Sequence, residues 1–323
     1  MLAIIPERYG RRIVRALVVS NMLPDETHPA RGRFVRDQVD ALRRLEGVEV
    51  QLFELAPGPR GLVRGAWELR RRYGREQIDV VHAHFGLSAW PALAVRARVR
   101  ALTVHGTDLS HPRTRRLTAR VIPRMDILAA ASAPLAERLP LGRERAQVLP
   151  CGVDLQRFHP IPRAQTRAEL RLNPDEPFLL FIGAPSRPEK RYEDALALAR
   201  DADVELRALY DVAPELMAKW INAANAVIAP SEREGFGLAV LEALACDVPV
   251  LATPVGIHPE ALRGVPGTLC APFELEVWRR ALSPHLRDPD PRIAGRAHAE
   301  PFSALRMAEG VLAAWSAALR DAG

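Results

Sequence analysis

Short apolar runs separated by stretches of helical period set the rhythm of this chain. In the first half the runs fall at residues 13–20, 48–55, 78–82, 101–105, 127–132 and 147–150, a spacing that predicts short buried strands. Between the first two, Val35, Val39 and Leu42 recur at i, i+4 and i+7, which predicts an amphipathic helix over 34–45. Residues 66–73 and 114–122 are further helix candidates. The rhythm restarts after 154–174, where Pro160, Pro162 and Pro174 interrupt a polar stretch. Strands at 178–183, 204–209, 226–229 and 248–252 then alternate with helices at 189–200, 214–222 and 237–245.

Such alternation implies an α/β fold with parallel sheets covered by helices on both faces. Two series imply two doubly wound, Rossmann-like domains, drawn at residues 1–155 and 156–300. A last helix over 303–319, within a terminal segment 301–323, is apolar at Met307, Val311, Leu312 and Trp315 and has no strand after it. Ligands of open α/β sheets bind beyond the carboxyl ends of the strands, so the cleft between the domains is the expected site.

Composition changes this picture little. Of the 323 residues, 48% are apolar and 26% charged, which excludes collagen-like, coiled-coil and disordered classes. Cys151, Cys246 and Cys270 are odd in number and far apart, against a disulfide framework or a structural zinc site and in keeping with a reducing cytoplasm. Apolar stretches such as 127–136 are too short or too interrupted to span a bilayer, and MLAIIPERYGRR lacks the order of a signal peptide. The chain therefore reads as soluble and cytoplasmic.

Charge adds more. Residues 1–160 carry 27 Arg and no Lys against 16 acidic residues, a net of +11, whereas residues 161–323 carry a net of −5. The asymmetry would steer a phosphate-bearing ligand, or an anionic membrane surface met peripherally, toward the first half. An Arg-rich solvated face is the plain alternative. Nucleic acid is disfavoured, because no aromatic–basic module accompanies the charge.

Three segments carry candidate chemistry. In PSEREGFGLAVLEALACDVPV (230–250) a strand runs through Gly235, Phe236 and Gly237 into a helix. Glycines let the backbone approach a ligand, and free amides at a helix start attract phosphate oxygens. Glu234 stands before the turn, where a carboxylate accepts from sugar hydroxyls, and Glu242 lies among apolar helix residues, where a charge is costly unless exposed or partnered. In FLLFIGAPSRPEKR (178–191) a strand enters a loop carrying Arg187, Lys190 and Arg191, cations able to neutralise charge growing on a diphosphate leaving group. In TVHGTD (103–108) a strand ends at His105, suited to bond a substrate hydroxyl, with Asp108 placed to orient it. His82 and His84 share a strand face, but no third ligand is evident and a metal site is not expected.

Together these segments resemble the family 4 retaining nucleotide-sugar glycosyltransferases of GT-B fold, over nearly the whole chain. The likeness is most specific at residues 231–256, where the Glu-x7-Glu signature falls on Glu234 and Glu242. CGVDLQRFHP (151–160) resembles the family's NGVDxxxFxP linker with Cys151 replacing Asn, and residues 302–315 resemble the terminal helix that returns across the cleft. NMLPDETHPARGRFVRDQVDAL resembles the opening strand–loop–helix of the branch that builds bacterial surface polysaccharides.

By that resemblance Glu234 contacts the donor sugar, Glu242 the nucleotide ribose, and the amides of Gly235, Phe236 and Gly237 hold sugar or phosphate. Lys190 and Arg187 bind the diphosphate, His105 lies beside the reacting carbon, and Gly32 belongs to the loop near acceptor and donor phosphate. The implied reaction moves a sugar, with retention, from a nucleotide-diphosphate donor to a hydroxyl of a glycan, lipid-linked or small-molecule acceptor, with no cofactor and no metal.

Departures qualify this. Pro185 stands where the family's GR-x-x-PEK pattern has Arg, and Asp247 replaces a customary Gly. Only one strand, 204–209, lies where the family has two, so the second domain is shortened and the base-recognition wall reduced. Two alternatives follow, a GT-B nucleotide-sugar epimerase and a catalytically impaired binding or scaffold relative. A dehydrogenase is disfavoured, because no GxGxxG follows the first strand.

Overall fold

The computed structural model describes residues 13–25, 28 and 30–323, so the segment in which no signal peptide is expected lies outside the described residues. The first sheet contains β1 (Val14–Ser20), β2 (Val48–Glu54), β3 (Ile78–His84), β4 (Ala97–Val104), β5 (Ile127–Ala130) and β6 (Gln147–Val148), all parallel, in the order β2-β1-β3-β4-β5-β6. The second contains β7 (Phe178–Ile182), β8 (Glu205–Leu209), β9 (Ala226–Ala229), β10 (Val250–Ala252) and β11 (Leu269–Cys270), also parallel, in the order β11-β10-β9-β7-β8. β3 is buried along its whole length, the signature of a central strand covered on both faces. The strand order reverses between β1 and β3 in one sheet and between β7 and β9 in the other. Those reversals are the places where such sheets open a crevice for ligand.

Three expectations shift, and one strand had none. β4 begins at Ala97 rather than 101, because Arg98 and Arg100 occupy alternate positions and hide the strand, while Val99 between them is fully buried. The helix expected from residue 66 starts at Gly58: Gly61 and Gly65 read as breakers, yet a Cβ on Gly65 would come within 2.0 Å of the Leu55 side chain, so the glycine permits close packing. The helix expected over 189–200 divides into a 3-10 turn, Pro188–Lys190, and a helix, Tyr192–Asp201, because Arg191 between them adopts the left-handed region at φ 55°. β11, with only two residues, has no pattern to read. β8 alone lies between β7 and β9 in the chain and forms one edge of the second sheet.

The chain crosses between the domains twice, and the crossings are bound to each other. Val153 N–H donates to Phe302 O and Ala304 N–H to Val153 O, both at 2.8 Å. Arg157 holds the first crossing to the helix Arg33–Leu42 through a bidentate pair with Asp37, 3.0 Å for each bond. Arg296 ties it to the second domain by donating to the carbonyls of Phe158, Leu155 and Ala245. The terminal helix, Ala304–Asp321, then lays Met307, Val311 and Trp315 on the first domain against Val35, Val39 and Leu42. That contact covers its apolar face. Among the described residues no helix is long and apolar enough to cross a membrane.

Candidate functional site

A cavity of about 360 Å³ opens where the carboxyl ends of the two sheets meet. The first domain contributes Met22 after β1, Phe85 after β3, His105 to Thr107 after β4, Phe34, Ser110 and Arg138. The second contributes Arg187 and Glu189 after β7, and Arg233 to Leu238 after β9, while Cys151 of the crossing segment closes one side.

The domains touch at this cavity through two glycines. A Cβ on Gly106, itself at φ 102°, would stand 3.2 Å from Gly235 Cα, and one on Gly235 would stand 2.0 Å from His105 O. Ser132 Oγ on the first domain donates to Gly235 O at 2.9 Å. Glycine at 235 therefore follows from contact between backbones. Gly237 has a different reason: its φ is 106°, and a Cβ would come within 2.5 Å of Nε2 of the buried His258. It caps the helix Leu238–Ala245, whose first-turn amides point their partial positive charge outward.

Glu234 is held from two sides. Lys190 Nζ donates to Glu234 Oε1 at 2.7 Å, and Ser231 Oγ donates to the same oxygen at 2.7 Å. Burial pushes this carboxyl up, but the Lys190 charge and these two hydrogen bonds outweigh it and hold Glu234 below the usual range. Glu234 is thus an anion whose remaining lone pairs are available to hydroxyl donors. Glu242 differs. Burial, and then the Asp37 carboxylate of the first domain, push it up to about 7, with Arg157 and Lys190 only partly offsetting them.

His105, Arg187, Glu234, Gly235, Phe236 and Gly237 line the cavity together. Lys190 reaches it only through Glu234, and Arg187 is already paired with Glu189 at 2.7 Å, so neither expected diphosphate cation is unpartnered. Gly32, at φ 69°, stands behind the wall, where a Cβ would meet Met22 O at 2.5 Å. Asp108 is buried and does not orient the His105 imidazole. Its carboxylate accepts from the backbone amides of His105, Gly106 and Gly86, which fixes the loop, and burial pushes it up to about 6 despite those bonds. The ring partner is His84, whose Nδ1 lies 2.9 Å from His105 Nε2.

Arg138 and Arg233, which face the cavity from opposite domains, carry no motif that singles them out in the sequence. Ser231, within residues 230–250, and His258, just beyond them, read as ordinary loop residues. His82 and His84 do share a strand face, with rings stacked 4.8 Å apart, and among the described residues no cluster of His, Cys, Asp or Glu is arranged to hold a metal ion.

Comparison with known proteins gives a consistent picture. Residues 8–157 match the family model "Glycosyltransferase Family 4", and residues 164–298 match "Glycosyl transferases group 1". D-inositol 3-phosphate glycosyltransferase of Nocardia farcinica is 33% identical over 75% of this chain and 67% of its own length. The protein of the same name from Actinosynnema mirum is 33% identical over 79% of this chain and 76% of its own. Among solved structures, Anabaena HepE in complex with UDP and glucose superposes with a TM-score of 0.69 at 16% identity, covering 94% of this chain and all of that one.

Proposed function

The chain belongs to the family 4 glycosyltransferases, with the GT-B architecture of two Rossmann-like domains, and we propose that it transfers a sugar from a nucleotide-diphosphate donor to an acceptor hydroxyl with retention at the anomeric carbon. The observation that carries this reading is the cavity itself, where the Lys190–Glu234 pair and the Gly235–Gly237 turn of one domain face His105 of the other. Glu234 takes the donor sugar's hydroxyls. The turn amides and Arg187 meet the diphosphate, with Lys190 acting through its charge behind Glu234. Glu242 takes the ribose.

The reaction breaks the bond from the anomeric carbon to the leaving phosphate oxygen and forms one from that carbon to the acceptor oxygen on the same face. The acceptor's proton passes to the leaving phosphate. The protein's part is positioning and stabilisation of growing charge by fixed cations and amides. No metal enters this reading.

The acceptor we favour carries a phosphate near its hydroxyl. Arg138 lines the first-domain side of the cavity, and the relatives named above are D-inositol 3-phosphate glycosyltransferases. A lipid-linked acceptor would supply the same chemistry at a bilayer. Peripheral contact with an anionic membrane on its cytoplasmic face belongs to this reading too. On the helix Gly58–Tyr73, Val63 (74% exposed) and Trp67 (62% exposed) lie among the exposed Arg60, Arg64, Arg70 and Arg71. A basic helix with exposed apolar residues fits an anionic lipid interface. We expect sedimentation with anionic but not zwitterionic vesicles at low salt, lost in a Val63→Glu/Trp67→Glu variant. Equal recovery with both vesicle types contradicts the contact.

Proton NMR of the product tests the transfer. With a panel of nucleotide sugars and inositol 3-phosphate, the donor's anomeric configuration should reappear in the product. Inversion, or epimerised donor without transfer, contradicts the reading.

Glu242 adds a pH dependence. A carboxyl raised to about 7 binds its proton more tightly folded than unfolded, so its contribution to stability is full below about 4.5 and lost as pH rises through about 7. The ionised form, with two charged oxygens and no donor of its own, is the stronger acceptor for two ribose hydroxyls. Donor KM should therefore fall as pH rises through about 7, and the dependence should flatten in Glu242→Gln. A wild-type KM with no inflection there contradicts the role given to Glu242.

A further inference from the structure

Three imidazoles run inward from the cavity wall. His105 stacks on His84 with ring centroids 5.1 Å apart, and His84 on His82 at 4.8 Å. The inner end is fixed by Trp315 of the terminal helix. An indole N–H can only donate, and it donates to His82 Nδ1 at 3.2 Å. His82 therefore keeps its proton on Nε2, which donates to Thr103 Oγ1 at 2.8 Å.

At the outer end one proton lies between His84 Nδ1 and His105 Nε2, 2.9 Å apart. Burial pulls both rings down, His105 to about 3 and His84 well below its ordinary value, so both are neutral and each carries a single N–H. If His105 gave the shared proton, His84 would carry its own on Nε2. That atom is buried without a hydrogen-bond partner, in a residue 2% exposed. Orphaned buried N–H groups are rarer than under-satisfied acceptors, so the bare nitrogen belongs there.

We propose that His84 is the positioning residue of the cavity histidine: its Nδ1–H donates to His105 Nε2, so that His105 keeps its own proton on Nδ1. That nitrogen lies beside Cys151 Sγ, at 4.0 Å, and His105 and Cys151 both line the cavity. Phe34 and Phe85 flank the ring with centroids 4.8 Å away and offer no competing acceptor. His105 then meets a ligand as a hydrogen-bond donor, suited to a sugar or phosphate oxygen, and cannot take a proton there as a base. The functional half of this inference rests on the reading that His105 lies beside the reacting carbon of the donor sugar.

Ring nitrogen-15 NMR of the full chain tests it, with the His105 signals assigned against a His105→Phe sample. The wild type should show a protonated Nδ1 and a bare Nε2 on His105. His84→Asn keeps an N–H donor near the place of Nδ1 and should preserve that pattern. His84→Leu removes the donor and should leave His105 a mixture of tautomers, with kcat about tenfold lower, the worth of one hydrogen bond, and largely recovered in the Asn variant. A wild-type His105 protonated on Nε2, or an unchanged pattern in His84→Leu, overturns the proposal. If the signals behave as expected while kcat is equal in all three proteins, the tautomer assignment stands and the sugar-contact role of His105 falls.

Discussion

Glu234→Gln should lower the rate of sugar transfer by about 10²–10³-fold, the cost of removing one preorganised charged or hydrogen-bonding group from a transition state. The substitution keeps the shape and leaves an amide oxygen for the Ser231 hydroxyl. It removes the negative charge that Lys190 Nζ meets at 2.7 Å and the acceptor proposed for the donor's hydroxyls. Both residues of the pair are largely buried, at 14% and 12% side-chain exposure, so the remaining lysine charge is stranded and the variant is less stable as well. The pH dependence gives the sign. A carboxyl held below its ordinary value stabilises the folded state fully above about 4.5 and loses that contribution as pH falls through its folded value. The wild type should therefore lose more stability on acidification than the Gln variant. Equal transfer rates for the two proteins, measured as nucleotide released with saturating acceptor, would remove Glu234 from the site.

Gly235→Ala should cost about 10²-fold in kcat with little loss of stability. A Cβ there would stand 2.0 Å from His105 O, and its next neighbours are His105 C and Gly106 N, so no flexible side chain can yield. The domains must part by about 1 Å or more to restore ordinary contact, and a displacement of that size at reacting groups costs about two orders of magnitude. Neither domain core is touched, because Gly235 lies on the cleft. Small-angle scattering should show a more open molecule and denaturation a near-native midpoint. Wild-type turnover in the alanine variant would mean that the Gly106–Gly235 contact is not part of the working enzyme.

Much of this was legible in the sequence where local pattern and tertiary outcome agree. The apolar runs of β1, β3, β7 and β9 are short, continuous and bounded by turns, and the parallel sheets follow from their alternation with helices. The terminal helix announced its apolar face through Met307, Val311 and Trp315, though not its partner Val39. What stayed hidden depends on partners distant in sequence. Arg98 and Arg100, both half-buried, disguise the start of β4 because two alternate charges read as a loop, while Val99 between them carries the burial. Asp108 looked like an orienting carboxylate for His105, yet it satisfies three backbone amides, a choice set by the φ 102° turn at Gly106. Lys190 read only as a cation for a diphosphate, because the carboxylate that binds it is brought to it by folding. Local pairing, Glu189 two residues from Arg187, was in plain view, whereas Glu234 lies 44 residues from Lys190.

We propose that the cavity between Gly106 and Gly235 binds a nucleotide-diphosphate sugar in spite of a second sheet that ends at β8. A thermal-unfolding titration of the whole chain with UDP, GDP, ADP and their common sugar conjugates tests it most directly. A ligand that binds only the folded state stabilises it by about 2.7 kcal/mol at 100 times its dissociation constant. We expect a saturable rise with the diphosphates of one base and a smaller rise in Glu234→Gln for the sugar conjugate than for the bare diphosphate. A folded sample whose midpoint none of these ligands moves would contradict it.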